Sequence, residues 1–286
     1  MRFVAFNDGT LDGLAVEGEN GSLRGLLASD SRFPGHLDHL VNGGTSVLQA
    51  AGQVLRSGSA IDPSGISYRP PFANPGKIVC VGLNYADHSA EAGFKVPDYP
   101  SLFTRFASSL IGHQAPILRP RVSDQLDFEG ELVAVIGSPG RHIPKASALD
   151  HVAGYSVFND ATVRDYQFKS TQWTIGKTFD GTGAFGPSFV TADELPRGCN
   201  GLRLETRLNG ATVQSAPIDD MLFDVATLIS LLSEAFILVP GDIIVTGTPA
   251  GVGFARTPKL FMKPGDVCEV EIEGVGLLRS PVADEI

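Results

Sequence analysis

Asp127-Phe128-Glu129-Gly130-Glu131-Leu132-Val133-Ala134-Val135-Ile136-Gly137 is the stretch on which the fold turns. The unbroken apolar run from Leu132 to Ile136 reads as a strand covered on both faces. In an extended chain alternate side chains share a face. Glu129 and Glu131 therefore point the same way, on the face that continues through Val133 and Val135. Two ionised carboxylates cannot share a dry site without a counter-charge, and a bound divalent cation is the simplest remedy. The competing reading is an ordinary wet face. Val267-Cys268-Glu269-Val270-Glu271-Ile272-Glu273 shows that pattern, with its acids alternating with apolar residues. The apolar run after Glu131 favours the covered strand.

Further on, Phe158-Asn159-Asp160-Ala161-Thr162 again carries an apolar stretch into an acid. Glu129, Glu131 and Asp160 together offer oxygen donors only. That set suits Mg²⁺ or Mn²⁺ and not zinc, which favours nitrogen and sulfur.

The 286 residues suit one large domain, or a large one with a small one, and bury a sizeable core. A net charge of −10 and a pI near 5.0 argue against a nucleic-acid partner. An anionic substrate then needs local cations. No apolar run is long enough to span a bilayer, so no membrane partner is expected. Met1 to Phe6 lacks the pattern of a signal peptide. Cys80, Cys199 and Cys268 have no paired spacing, which points to a reducing cytoplasm and to buried thiols.

Residues 1–70 look like a small module. Phe3–Phe6, Gly13–Val16 and Leu23–Leu27 are short strand candidates, and Val47, Leu48, Ala51 and Val54 recur at helical spacing. A proline-rich crossing, Arg69-Pro70-Pro71-Phe72-Ala73-Asn74-Pro75-Gly76, marks the boundary, and residues 71–286 form the second unit. That unit opens on Lys77–Gly82, a buried-strand candidate. Leu202–Leu208 alternates and runs into Asn209-Gly210, a tight-hairpin signal. Leu222, Val225, Ala226, Ile229, Leu232 and Phe236 mark one helix. The pattern is α+β and strand-rich.

Four further groups bear on chemistry. His88 and Glu91 are three apart in Asn84-Tyr85-Ala86-Asp87-His88-Ser89-Ala90-Glu91. On one helical turn they make an oriented imidazole base, or else an incidental surface pair. Arg164 is suited to clamp a carboxylate with its planar fork, or simply pairs with Asp165. Lys177, set among apolar and glycine residues, stabilises an oxyanion or is a surface lysine. Thr246-Gly247-Thr248-Pro249-Ala250-Gly251-Val252-Gly253 follows a strand and presents backbone N–H groups and hydroxyls to an anion. It is neither a Walker loop nor a dinucleotide fingerprint. No nucleophile elbow and no Cys/His metal spacing are present.

In order along the chain, "GLNYADH" with Glu91, "LDFEGELVAVIG", "GRHIP", "HVAGYSVFNDATVRDYQ", "GKTFD", "FGP" and "GDIIVTGTPAGVG" resemble the fumarylacetoacetate hydrolase family from about Lys77 to Val282. The resemblance implies a mixed β-roll with a small N-terminal α/β module, usually as a homodimer. It implies one Mg²⁺ or Mn²⁺ on Glu129, Glu131 and Asp160, chelated by a small anionic 2-oxo acid. It implies a His88–Glu91 dyad on a mobile lid that activates water, and substrate contacts from Lys177, Gln167 and Thr248. Many relatives carry lysine where this chain has Arg105, which keeps the charge but changes its reach. Arg105 and Arg164 complete the expected substrate-binding set. The expected reaction is hydrolysis of the C–C bond of a 2,4-dioxo acid, such as fumarylpyruvate or maleylpyruvate, to pyruvate and a carboxylic acid. The alternatives on the same site are oxaloacetate decarboxylation and 2-hydroxy-dienoate isomerisation. A different class is a metal-stabilised binding protein without turnover.

Overall fold

The strand Gly130–Ile136 is buried at every residue, and its two faces feed two separate cores. Leu132, Ala134 and Ile136 enter one apolar cluster; Val133 and Val135 enter the other. This is the double coverage expected of an unbroken apolar run, and it makes the strand the middle of a sheet. The computed structural model describes residues 1–18, 20–86 and 98–286. His88, Glu91 and most of the expected lid, Tyr85 to about Pro100, lie outside those residues.

In spatial order the main sheet runs Ser59–Ile61, Leu23–Leu27, Asp12–Glu17, Arg2–Asn7, Gly183–Thr191, Val152–Asp160, Gly130–Ile136, Ile243–Val245, Ile78–Gly82 and Ser101–Thr104. A five-stranded sheet lies beside it: Ala211–Pro217, Arg203–Leu208, Val267–Ile272, Gly276–Asp284 and Ile117–Arg119. Its inner face, including Leu204, Val270 and Leu278, joins the cluster that holds Leu132. On its outer face Arg207 pairs with Glu205 and Glu271 at 2.8 Å and with Glu269 at 3.2 Å. The comparison strand is therefore half-wet, as its alternation indicates. The architecture is a strand-rich α+β fold with few helices.

Local sequence explains the connections. Asn209 and Gly210 both take positive φ, 52° and 80°, and join Arg203–Leu208 to Ala211–Pro217 in two residues. The helix Val225–Ala235 starts where the Asp224 side chain accepts the Thr227 N–H at 2.7 Å. It buries Val225, Leu228, Ile229 and Leu232. Leu222 precedes it and Phe236 caps it, so the helix is shorter than the apolar spacing indicates.

The first strand, Arg2–Asn7, pairs antiparallel with Gly183–Thr191 through Arg2–Val190 and Phe3–Phe189. The N-terminal residues thus extend the main sheet. On this side lies His113, whose Nδ1 accepts the Arg279 N–H at 3.1 Å and whose ring meets Tyr68 edge-on at 4.7 Å. Burial, and then the Arg279 charge, push its pKa from 6.5 down to about 4. Between these values the unfolded chain binds the proton and the folded chain does not. Stability therefore falls as pH drops from about 6.5 to about 4, by roughly 1–2 kcal/mol after solvent screening. His113→Phe keeps a ring and removes the titration. Urea midpoints at pH 7 and pH 4.5 should differ less in the variant than in the wild type. Equal differences would clear His113 of the effect.

Candidate metal centre and cleft

Strand register brings the three acids together. Gly130 pairs with Asn159 and Glu131 with Phe158, so Asp160 falls beside Glu129 and donates its N–H to the Glu129 carbonyl at 2.8 Å. One carboxylate oxygen from each of Glu129, Glu131 and Asp160 lies within 4.8 Å of the others. The three residues are 4%, 1% and 0% exposed, which rules out a wet face.

Three buried cations answer this charge unequally. Lys177 Nζ binds Glu129 Oε2 and, at 2.6 Å, Asp160 Oδ2. Arg105 binds Asp160 Oδ1. Arg164 Nη2 lies 2.6 Å from Glu129 Oε1. Glu131 instead accepts the backbone N–H of Gly247. Burial, then the charges of Asp160 and Glu129, hold its pKa well above the ordinary 4.5. Opposing acids raise the Lys177 pKa against the effect of burial, so it stays an ammonium. An all-oxygen donor set with one under-compensated carboxylate fits a hard divalent cation.

Glu129 and Glu131 line a small cleft whose walls include Phe103, Trp173, Gln167, Lys177, Thr248 and Phe254. Trp173 packs on Gly82, where an added Cβ would lie 2.2 Å from its ring. Gly247 adopts φ +102°, and this turn delivers its N–H to Glu131.

The structure places the other expected residues as follows. Arg164 does not pair with Asp165, which accepts from Ser123 Oγ at 2.5 Å. Its guanidinium is engaged by Asp127, Glu129 and Gln167, so it braces the acids, and it also lines the cleft. Arg105, 3% exposed, is held by Asp160, by Thr182 at 2.7 Å and by Ser109 at 3.3 Å. Its guanidinium carbon also lies 5.6 Å from the Phe158 ring centroid. Lys177 is a buried bridge, not a surface lysine. Gln167 and Thr248 line the cleft, and Thr248 Oγ1 donates to the Gly130 carbonyl at 2.9 Å.

Sequence reasoning passed over three buried polar residues. Asn84 Nδ2 donates to the Thr246 and Phe223 carbonyls at 2.7 and 3.0 Å, while its Oδ1 accepts the Phe223 N–H. Gln214 Nε2 donates to Thr248 Oγ1 at 2.8 Å, and its Oε1 accepts the Gly130 N–H. Asp127 collects several donors from distant segments. Asn84 and Asp127 stand inside the motif stretches, but their partners are remote in sequence.

The sequence model of the fumarylacetoacetate (FAA) hydrolase C-terminal family matches residues 77–283. The chain belongs to the fumarylacetoacetate hydrolase family and is a metal-dependent enzyme of that family. It is 40% identical to a mitochondrial oxaloacetate tautomerase of Xenopus laevis, over 99% of this chain and 90% of that one. Among solved structures it resembles a fumarylacetoacetate hydrolase from Exiguobacterium antarcticum, at 34% identity and TM-score 0.85, over the whole of both chains. It also resembles a maleylpyruvate hydrolase of Sphingobium sp. SYK-6 in complex with manganese(II) and pyruvate, at 25% identity and TM-score 0.82, again over the whole of both chains.

The relative from Xenopus laevis overturns the expectation of a cytoplasmic protein, because it is mitochondrial. Cys80, Cys199 and Cys268 are free and buried, which does not tell one compartment from another. No helix among the described residues is long and apolar enough to cross a membrane.

Proposed function

We propose that this enzyme acts on small 2-oxo acids and interconverts the enol and keto forms of oxaloacetate. The observation that carries the reading is the buried triad Glu129, Glu131 and Asp160, of which Glu129 and Glu131 line a small cleft. A relative 40% identical over 99% of the chain is an oxaloacetate tautomerase, which supports that substrate over a 2,4-dioxo acid.

Mg²⁺ or Mn²⁺ held by the three acids supplies Lewis-acid stabilisation of developing oxygen charge. Ketonisation takes the proton from the C2 hydroxyl and delivers one to C3, so it needs a proton carrier and no attacking water. His88, oriented by Glu91, is the proposed carrier. Lys177 faces the same space as a permanent ammonium and favours charge on a substrate oxygen. Gln167 and Thr248 orient the acid. We also propose a homodimer, and a boundary near residue 70 that leaves residues 1–70 as a supporting module.

Hydrolysis of a 2,4-dioxo acid is the second reading, favoured by the structural likeness to maleylpyruvate hydrolase. Freshly dissolved enol-oxaloacetate loses its ultraviolet absorbance on ketonisation. The enzyme with Mg²⁺ should accelerate that loss well beyond the buffer rate, without matching release of pyruvate. His88→Ala should slow it on the order of 10²–10⁴-fold. Metal-dependent release of pyruvate from acylpyruvates, with no effect on enol-oxaloacetate, would replace the proposal with the second reading.

A further inference from the structure

Asp127 is a fully buried carboxylate on which four donors converge. It accepts the N–H groups of Phe128, Gly253 and Phe254 at 2.8, 2.7 and 2.9 Å, and Arg164 Nε at 2.8 Å. A guanidinium is planar, so fixing Nε fixes the directions of its other two nitrogens. Nη2 then meets Glu129 at 2.6 Å, and Nη1 donates to Gln167 Oε1 at 2.9 Å. The ring of Phe254, held by the same carboxylate through its N–H, lies 4.6 Å under the guanidinium carbon. Gly253 completes the arrangement. An added Cβ there would fall 1.8 Å from the Leu260 carbonyl oxygen and 2.6 Å from Asp127 Oδ1.

Gln167 is 3% exposed and lines the cleft. Arginine offers donors only, so the amide atom it engages has to be the carbonyl oxygen. The NH₂ group is thereby the end left for a ligand. We infer that Asp127 is a positioning residue that acts through Arg164 to hold the Gln167 amide as an obligate donor toward an oxygen of the bound acid. Without that brace the amide turns freely and presents its oxygen, which repels an anion, as readily as its NH₂. This rests on the proposal that the cleft takes a 2-oxo acid.

Trp173 is the single tryptophan and lines the cleft, so its fluorescence reports occupancy. The experiment titrates oxalate, a two-carbon stand-in for the 2-oxo acid end, into Mg²⁺-loaded protein. Mg²⁺ affinity is measured separately by calorimetry. Asp127→Asn and Gln167→Met should each weaken oxalate roughly tenfold. In the Gln167→Met background, Asp127→Asn should add less than about twofold, because the two act as one unit. Arg164→Lys keeps the charge without the fork and should match Gln167→Met. It also replaces Asp127→Asn in the cycle if that variant does not fold. Additive losses, or a loss confined to Mg²⁺ affinity, would overturn the relay. Wild-type loaded protein that binds no oxalate would instead remove the functional proposal, and this inference with it.

Discussion

Glu131→Gln is expected to raise the thermal midpoint of the metal-stripped protein and to erase the further rise that Mg²⁺ or Mn²⁺ brings. In the unfolded chain Glu131 ionises near the ordinary 4.5; in the fold, burial and two neighbouring carboxylates hold its proton to higher pH. Over that window the folded state binds more protons than the unfolded one. Stability without metal is therefore complete below about pH 4.5 and declines as pH rises toward the folded pKa. Glutamine is neutral at every pH and can still accept the Gly247 N–H, so the variant escapes the decline. The gain is on the order of 1–2 kcal/mol, or roughly 2–6 °C. Wild type with cation about 100-fold above its Kd gains about 2.7 kcal/mol, which the variant forgoes. Calorimetric scans at pH 5 and pH 8, with and without Mg²⁺, check both halves. A variant less stable than wild type at pH 8 without metal would show that Glu131 is not a source of strain.

Lys177→Met should do the opposite. Its ammonium bridges Glu129 and Asp160 in a fully buried setting. Removing one member of such a network leaves charge uncompensated and costs about 3–5 kcal/mol. The metal-stripped midpoint should drop, and Mg²⁺ should restore a larger share of it than in wild type, because the divalent charge replaces the lost one. Turnover should fall on the order of 10²–10³-fold even with metal present. The two substitutions both remove a formal charge from one site, yet the expected shifts without metal differ in sign. A site in which any lost polar contact weakens the fold predicts two decreases. Equal metal-induced shifts in wild type and Lys177→Met would break the link between this lysine and the cation.

What could be read from the sequence was local or periodic. The covered strand, the same-face acids and the Asn209-Gly210 hairpin each depend on residues within a few positions of one another. Asp160 joins the acids in sequence because an apolar stretch ends on it; the register that places it beside Glu129 is a pairing between strands. The balance of charge was not legible. Of the two readings open for Arg164, pairing with Asp165 fails because a partner at the next position in a helical turn faces away, and the guanidinium reaches Asp127 and Glu129. Arg105 stands in the expected substrate-binding set through the family resemblance alone; the Asp160 carboxylate it binds, 55 residues away, is not legible at that position. Asp127 was quoted with the motif and given no role, since Gly253 and Phe254 reach it across more than a hundred residues. Buried networks of this kind are specified by long-range packing, which no window of sequence displays.

The central claim is that Glu129, Glu131 and Asp160 hold one divalent cation per chain. Titration of metal-stripped protein with Mn²⁺, following the free ion by electron paramagnetic resonance, tests it most directly. The prediction is one tight site per chain in wild type, competed by Mg²⁺, and its loss in Glu131→Gln while the variant stays folded. A Glu131→Gln protein that binds Mn²⁺ with unchanged stoichiometry and affinity would contradict the claim.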